Sequence, residues 1–289
     1  MRIIERFTQG KHRDPSLNED GMIITGGAGM TGDGFVAVVD GVTSKSTRHP
    51  WHPSGGVVAR RLCLEAIASL PADATMRGAQ HAIDTCLHDA YGTHPAGSAF
   101  FEANPVERLQ ANAVVYSARR HEAWLFGDCQ IMVNGTQIPT VKPVDELLGA
   151  LRSFAAEALE LRREREGDGG TEGATGTEAD ADQARAMIMP FLRLQSELAN
   201  RRGRYGYFVF DGFTDPTYPI RTVAIHPGDE VVLASDGYPI LRPTLAQSER
   251  ELARLKREDP LLIHEFPTTK GFSADLDSFD DRTYVRFIA

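Results

Sequence analysis

The chain has 289 residues, 42% of them hydrophobic and 25% charged, enough to bury one sizeable core and unlike wholesale disorder or a fibrous repeat. Thirty-one Lys plus Arg against 40 Asp plus Glu leave a net charge of −9, which speaks against nonspecific binding to nucleic acid or to an anionic membrane. No apolar run approaches the ~20 residues that span a bilayer, and the start MRIIERFTQGKHRD lacks the apolar stretch of a signal peptide, so a cytoplasmic protein is expected.

In chain order, β-rich runs fall at 1–8, 20–25, 34–40, 111–118, 121–127, 205–210, 229–235 and 282–288. Several are separated only by turn residues, as antiparallel meanders require. Helical patterns cover 55–70, with Leu62, Ala66 and Leu70 at helical spacing, then 73–91, 144–165, 182–202 and 244–258. Blocks of strands beside blocks of helices predict a layered α+β fold rather than strict βαβ alternation. The stretch 164–182 is rich in Gly, Thr and acids and almost free of large apolar residues, so it reads as a flexible loop inserted between two helices. A single domain over 1–289 is expected, since the apolar pattern resumes on both sides of that loop.

Several familiar signals fail on their surroundings. Gly27, Gly29 and Gly32 fit the spacing of a dinucleotide-binding loop, but the next segment, GFVAVVDG, is a strand where a helix is needed. Cys63, Cys86 and Cys129 are odd in number and far apart, which argues against a disulfide framework or a zinc site and fits a reducing compartment. Six residues beyond each cysteine stand Ser69, Gly92 and Gly135, not the Arg of a cysteine phosphatase. Asp40 and Asp211 end apolar runs but have Val42 and Phe213 two residues on, and Asp275 and Asp277 follow no strand, so a phospho-aspartate mechanism is disfavoured. His49, His52, His81 and His88 read as surface or packing residues.

The informative pattern is a set of carboxylates at the ends of apolar strands: Asn18-Glu19-Asp20-Gly21, Val38-Val39-Asp40-Gly41, Phe126-Gly127-Asp128, Ala234-Ser235-Asp236-Gly237 and Asp280-Asp281-Arg282-Thr283. Singly, each reads as a turn or a cap. Gathered in one place, such carboxylates repel one another and lose hydration, at a cost of several kcal/mol unless cations neutralise them. An oxygen-only donor set without Cys or obligatory His suits Mg²⁺ or Mn²⁺ rather than Zn²⁺.

In order and spacing, these five motifs resemble those of the metal-dependent protein phosphatases of type 2C, over about residue 18 to the end. The resemblance implies a four-layer α-β-β-α sandwich, a central antiparallel β-sandwich flanked by helices, with a binuclear Mg²⁺ or Mn²⁺ centre at one end. It implies that Asp40 bridges two ions, that Glu19 and the Gly41 carbonyl join it on one, and that Asp236 and Asp280 hold the other. Asp20 would orient metal-bound water, and Asp128 with Asp236 would take a third ion. The implied activity is hydrolysis of phosphoserine and phosphothreonine in a phosphorylated protein by a hydroxide bridging the two ions, in a monomer that needs neither nucleic acid nor membrane.

The chain departs from that pattern in places. Pro15 stands where the family has a phosphate-clamping Arg, and Arg13 is the candidate for a displaced clamp. Val42-Thr43-Ser44-Lys45-Ser46 replaces the His-Gly-Gly that usually follows Asp-Gly, and Gln130 replaces the Arg that ends the Gly-Asp motif. These losses motivate an alternative, a noncatalytic module of the same fold that binds a phosphorylated partner or serves as a regulatory scaffold. Segment 143–204 lies where the family varies near its active site, and it reads equally as an element that covers the site or chooses the protein partner, or as an inert surface insertion.

Overall fold

A computed structural model describes residues 1–26, 33–166 and 183–289. The glycine-rich Gly27–Gly32 turn and most of the 164–182 loop lie outside the described residues. Among the described residues, ten strands and six α-helices follow in chain order: β1 (Arg2–Gln9), β2 (Asp20–Ile24), β3 (Phe35–Gly41), α1 (Gly55–Ala68), α2 (Met76–Thr93), α3 (Ser98–Ala103), β4 (Ala111–Ser117), β5 (Glu122–Phe126), β6 (Gln130–Val133), β7 (Thr136–Ile138), α4 (Pro143–Glu166), α5 (Gln183–Leu194), β8 (Arg221–Ala224), β9 (Glu230–Ala234), α6 (Leu245–Glu258) and β10 (Arg282–Ile288). No described helix is long and apolar enough to cross a membrane.

The strands form two five-stranded antiparallel sheets, ordered β1-β10-β9-β6-β7 and β2-β3-β4-β5-β8. Successive side chains of a strand point to opposite faces, and here each face has its own core. Val36, Val38, Val114 and Tyr116 meet Ile131, Leu233, Val285 and Phe287 of the other sheet. Phe35, Ala37, Val39, Ala113 and Val115 turn the other way, onto Ala59, Cys63 and Ile67 of α1 and Ile83, Leu87 and Tyr91 of α2. A strand covered on both sides has no reason to alternate apolar with polar, which is why FVAVV is uninterrupted. On the outer face of the first sheet, Val232, Ala234 and Tyr284 pack with Tyr238 and Leu241 of the β9–α6 connection and with Leu245, the first residue of α6. The layers are therefore helix, sheet, sheet, helix, as expected.

The sequence reading placed no elements at α3, β6, β7 or β8, and three further details differ. The buried stripe of α1 is Gly55, Gly56, Val57, Ala59, Cys63 and Ile67; Leu62, Ala66 and Leu70 flank it, half-buried. Residues 205–210 make isolated bridges, Phe210 with Ala111 and Tyr207 with Ala199, and not a strand. The edge of β4 they would need is occupied by β5 from Ala113 to Ser117, so Phe208 and Phe210 are buried as core aromatics without a ladder. The helix expected over 182–202 ends at Leu194 and continues as a 3₁₀ turn, Gln195–Leu198.

Candidate metal centre and pocket

All five acidic motifs meet at one end of the sandwich because each sits at a strand terminus. Glu19 precedes β2, and Asp20, its first residue, pairs directly with Asp40 near the end of β3. Asp128 lies in the turn from β5 to β6, Asp236 follows β9, and Asp280 and Asp281 precede β10. Two of the intervening glycines are dictated by crowding. A Cβ at Gly41 would run into the Gly56 and Glu19 carbonyls, and one at Gly237 into the Asp281 carbonyl. The strand ends can approach this closely only without side chains there.

Asp40, Asp128, Asp236 and Asp280 line a cavity of about 130 Å³ together with Thr43, Lys45, Lys142, Arg185 and Lys270. Asp236 is the carboxylate most open to this cavity, and it is within hydrogen-bonding reach of Asp40. The surrounding protein, then Asp280 and Asp128, push the Asp236 carboxyl up to about 7. Burial, with Asp236, Asp20, Asp280 and Asp128 adding to it, pushes Asp40 well above the usual carboxylate range. Asp20 is raised likewise by burial, partly offset by the Ser235 hydroxyl, and by Asp281, Asp280 and Asp236. Burial raises Asp128 against the pull of Lys142, whose ammonium lies 3.5 Å away. One oxygen of Asp20 and one of Asp128 are buried with no hydrogen-bond partner, a costly state that a cation would relieve.

The Glu19 side of the cluster is different. Lys11, only 6% exposed, sends its ammonium between Glu19 (2.9 Å), Asp281 (2.9 Å) and Asp280 (3.3 Å) and donates to the Thr43 hydroxyl at 2.8 Å. Burial alone would lower its pKa, but Asp280, Glu19 and Asp281 outweigh that and hold the charge firmly on. Glu19 also accepts from the Thr43 hydroxyl and from Ser54 at 2.6 Å. Ser54 is at the same time the N-cap of α1, accepting from the Val57 amide. Despite its burial, Glu19 is held below the usual range by Lys11, Ser54 and Thr43. Asp280 is pulled down against its burial by Lys270, with which it pairs, and by Lys11. Among the described residues, no three His, Cys, Asp or Glu side chains as placed stand ready to hold a metal ion.

The pocket wall is completed by the α4–α5 region. Arg185 and Leu192 of α5 and Asp145 of α4 line it, as do Gln195 and Ser196 just beyond α5, so segment 143–204 forms part of the cavity. Arg13 is exposed and does not line the cavity, which is lined instead by the cations Lys45, Lys142, Lys270 and Arg185. Lys45 is half-buried, and burial together with Lys270 and Arg185 pushes its ammonium down to about 7. Gln130 braces the turn that carries Asp236, its amide donating at 2.8 Å to both the Ser235 and Tyr238 carbonyls.

No protein-family model matches the sequence, and no curated protein does. Among solved structures, the chain is similar to the catalytic domain of the serine threonine protein phosphatase PstP in complex with two manganese ions (16% identity, 99% of this chain and 98% of that one, TM-score 0.45). It is also similar to the serine/threonine phosphatase Stp1 from Staphylococcus aureus (14%, 99% and 94%, 0.46) and to the PPM Ser-Thr phosphatase MsPP from Mycobacterium smegmatis (16%, 99% and 98%, 0.43).

Proposed function

We propose that this chain is a metal-dependent phosphomonoesterase that hydrolyses phosphoserine and phosphothreonine in proteins. The observation that carries the reading is the pocket wall itself, where carboxylates raised by desolvation and by one another stand beside converging cations. Acids in that state call for a divalent ion, and the cations suit a phosphate. Asp40 and Asp236, with Asp128 beside them and an orphaned oxygen on both Asp20 and Asp128, fit Mg²⁺ or Mn²⁺, which typically keep several waters and use one or two carboxylates. Such an ion would supply an acidified water and offset charge on the phosphoryl oxygens.

The chain's own groups account for the other steps. Asp20, buried behind Asp40, is suited to orient the attacking water and accept its proton. Lys45, Lys270 and Arg185 would bind the phosphoryl oxygens in place of the missing Arg at position 15, and the half-enclosed cavity limits competing water. Lys45→Ala should raise KM for a phosphopeptide about 10–100-fold, the equivalent of one charge-assisted hydrogen bond, with a smaller change in kcat. An unchanged KM would remove Lys45 from the phosphate site.

The test of the activity is hydrolysis of p-nitrophenyl phosphate and of a phosphothreonine peptide with EDTA, Mg²⁺ or Mn²⁺, beside the Asp236→Asn variant. Turnover that requires the ion and is lost in the variant is the expected result. The alternative of a noncatalytic phosphoprotein-binding module is favoured by one feature, the lysines already paired with Glu19 and Asp280. It predicts phosphopeptide binding without turnover in any metal.

A further inference from the structure

We propose that Lys11 is a tethered cation that takes the place of a second metal ion, so that the chain binds a single divalent ion, on the Asp40–Asp236 side. This inference rests on the reading of the cluster as a metal centre. Its basis is the set of oxygens around the Lys11 ammonium: Glu19, Asp280, Asp281 and the Thr43 hydroxyl, between 2.8 and 3.3 Å away. These distances suit an ammonium, which occupies Glu19 and reaches across to Asp280. Both carboxylate oxygens of Glu19 are taken, Oε1 by Ser54 and Oε2 by Lys11 and Thr43. In contrast, one buried oxygen of Asp128, which lines the cavity with Asp40 and Asp236, has no hydrogen-bond partner.

The lysine is also fixed at its base. Its backbone amide donates to Asp281 at 2.8 Å, and its carbonyl accepts from the Asp277 amide at 2.9 Å. The side chain is thus delivered into the cluster from a backbone locked to the same loop that carries Asp280 and Asp281. A divalent ion at Glu19 would have to expel a buried, fully paired ammonium or sit within a few ångströms of it, and like charges at that range repel strongly.

The test is the number of Mn²⁺ ions held per chain, measured by equilibrium dialysis with elemental analysis up to millimolar Mn²⁺, for the wild type, Lys11→Met and Lys11→Arg. The wild type and Lys11→Arg should retain a single ion. Lys11→Met should gain a second one, its apparent affinity rising at least about 10-fold over any weak second binding in the wild type, and its melting temperature should respond more steeply to Mn²⁺. Two ions on the wild type would overturn the inference while leaving the phosphatase reading intact, and this outcome is readable even if Lys11→Met fails to fold. A single ion on both wild type and Lys11→Met would overturn it as well. No bound ion on any of the three proteins would overturn both the inference and the metal-centre reading beneath it.

Discussion

If the chain hydrolyses phosphomonoesters as proposed, Asp40→Asn should reduce that activity by ~10³-fold or more, since Asp40 is then the central ion ligand and its loss removes several kcal/mol of transition-state stabilisation. The same substitution should leave the metal-free protein at least as stable as the parent. Asp40 is paired with Asp20 across the β2–β3 ladder and is repelled by Asp236, Asp20, Asp280 and Asp128. Neutralising it relieves that repulsion and keeps the side chain's shape. A steady-state assay in saturating Mn²⁺ and a thermal melt in EDTA measure the two halves. Retained turnover would exclude Asp40 from the chemistry, and a large fall in melting temperature would show it to be a structural carboxylate.

The second large effect is on stability against pH in the absence of metal. Asp20, Asp40, Asp128 and Asp236 have raised pKa values in the folded protein, so at mildly acidic pH the folded state holds protons that the unfolded chain has lost. Their stabilising contribution is complete below the unfolded value of 3.8 and is lost as pH rises through the folded values, which for Asp236 is about 7. Glu19 and Asp280 are lowered instead; they add stability as pH rises, but that gain is complete near their unfolded values of 4.5 and 3.8. Lys45, pushed down to about 7, begins to restore stability only above that pH. Between pH 5 and 7 the raised aspartates therefore act unopposed. The EDTA-treated protein should lose on the order of 2 kcal/mol over this interval, a figure reduced for the solvent exposure of Asp236. Mn²⁺ should stabilise it more at pH 7 than at pH 5. A flat or rising urea midpoint across the interval would show that these carboxyls are not raised in the folded protein.

The strongest apolar runs revealed their own structure. FVAVVDG and ANAVVYSA are adjacent interior strands of one sheet, and the acids at strand ends gather because strand ends gather. The turn Asn134-Gly135, both residues at positive φ, joins β6 to β7 and was a readable hairpin signal, although neither strand is long enough to stand out. Residues 205–210 misled because aromatic richness reports burial rather than pairing. The roles of Lys11 and Gln130 were beyond local pattern altogether. A lysine in a polar loop looks solvated, and only the pairing of β1 with β10 brings position 11 against positions 280 and 281. Gln130 reads as a lost Arg, whereas its two bonds to the Asp236 turn give the residue a bracing role that an alignment of motifs does not show.

The pairing of β1 with β10 also sets when the cluster can form. β10 is wedged between β1 and β9, and the Lys11–Asp280 contact spans 269 residues. During synthesis, the early strands β2, β3 and β4 can pair while the ribosome is still translating, but Glu19, Asp20 and Asp40 must wait for Asp280 and the strand behind it to emerge. Until then the nascent chain carries unneutralised acids and an open slot between β1 and β9, a template for stray strands. Any activity built on this cluster consequently waits for β10 to insert between β1 and β9.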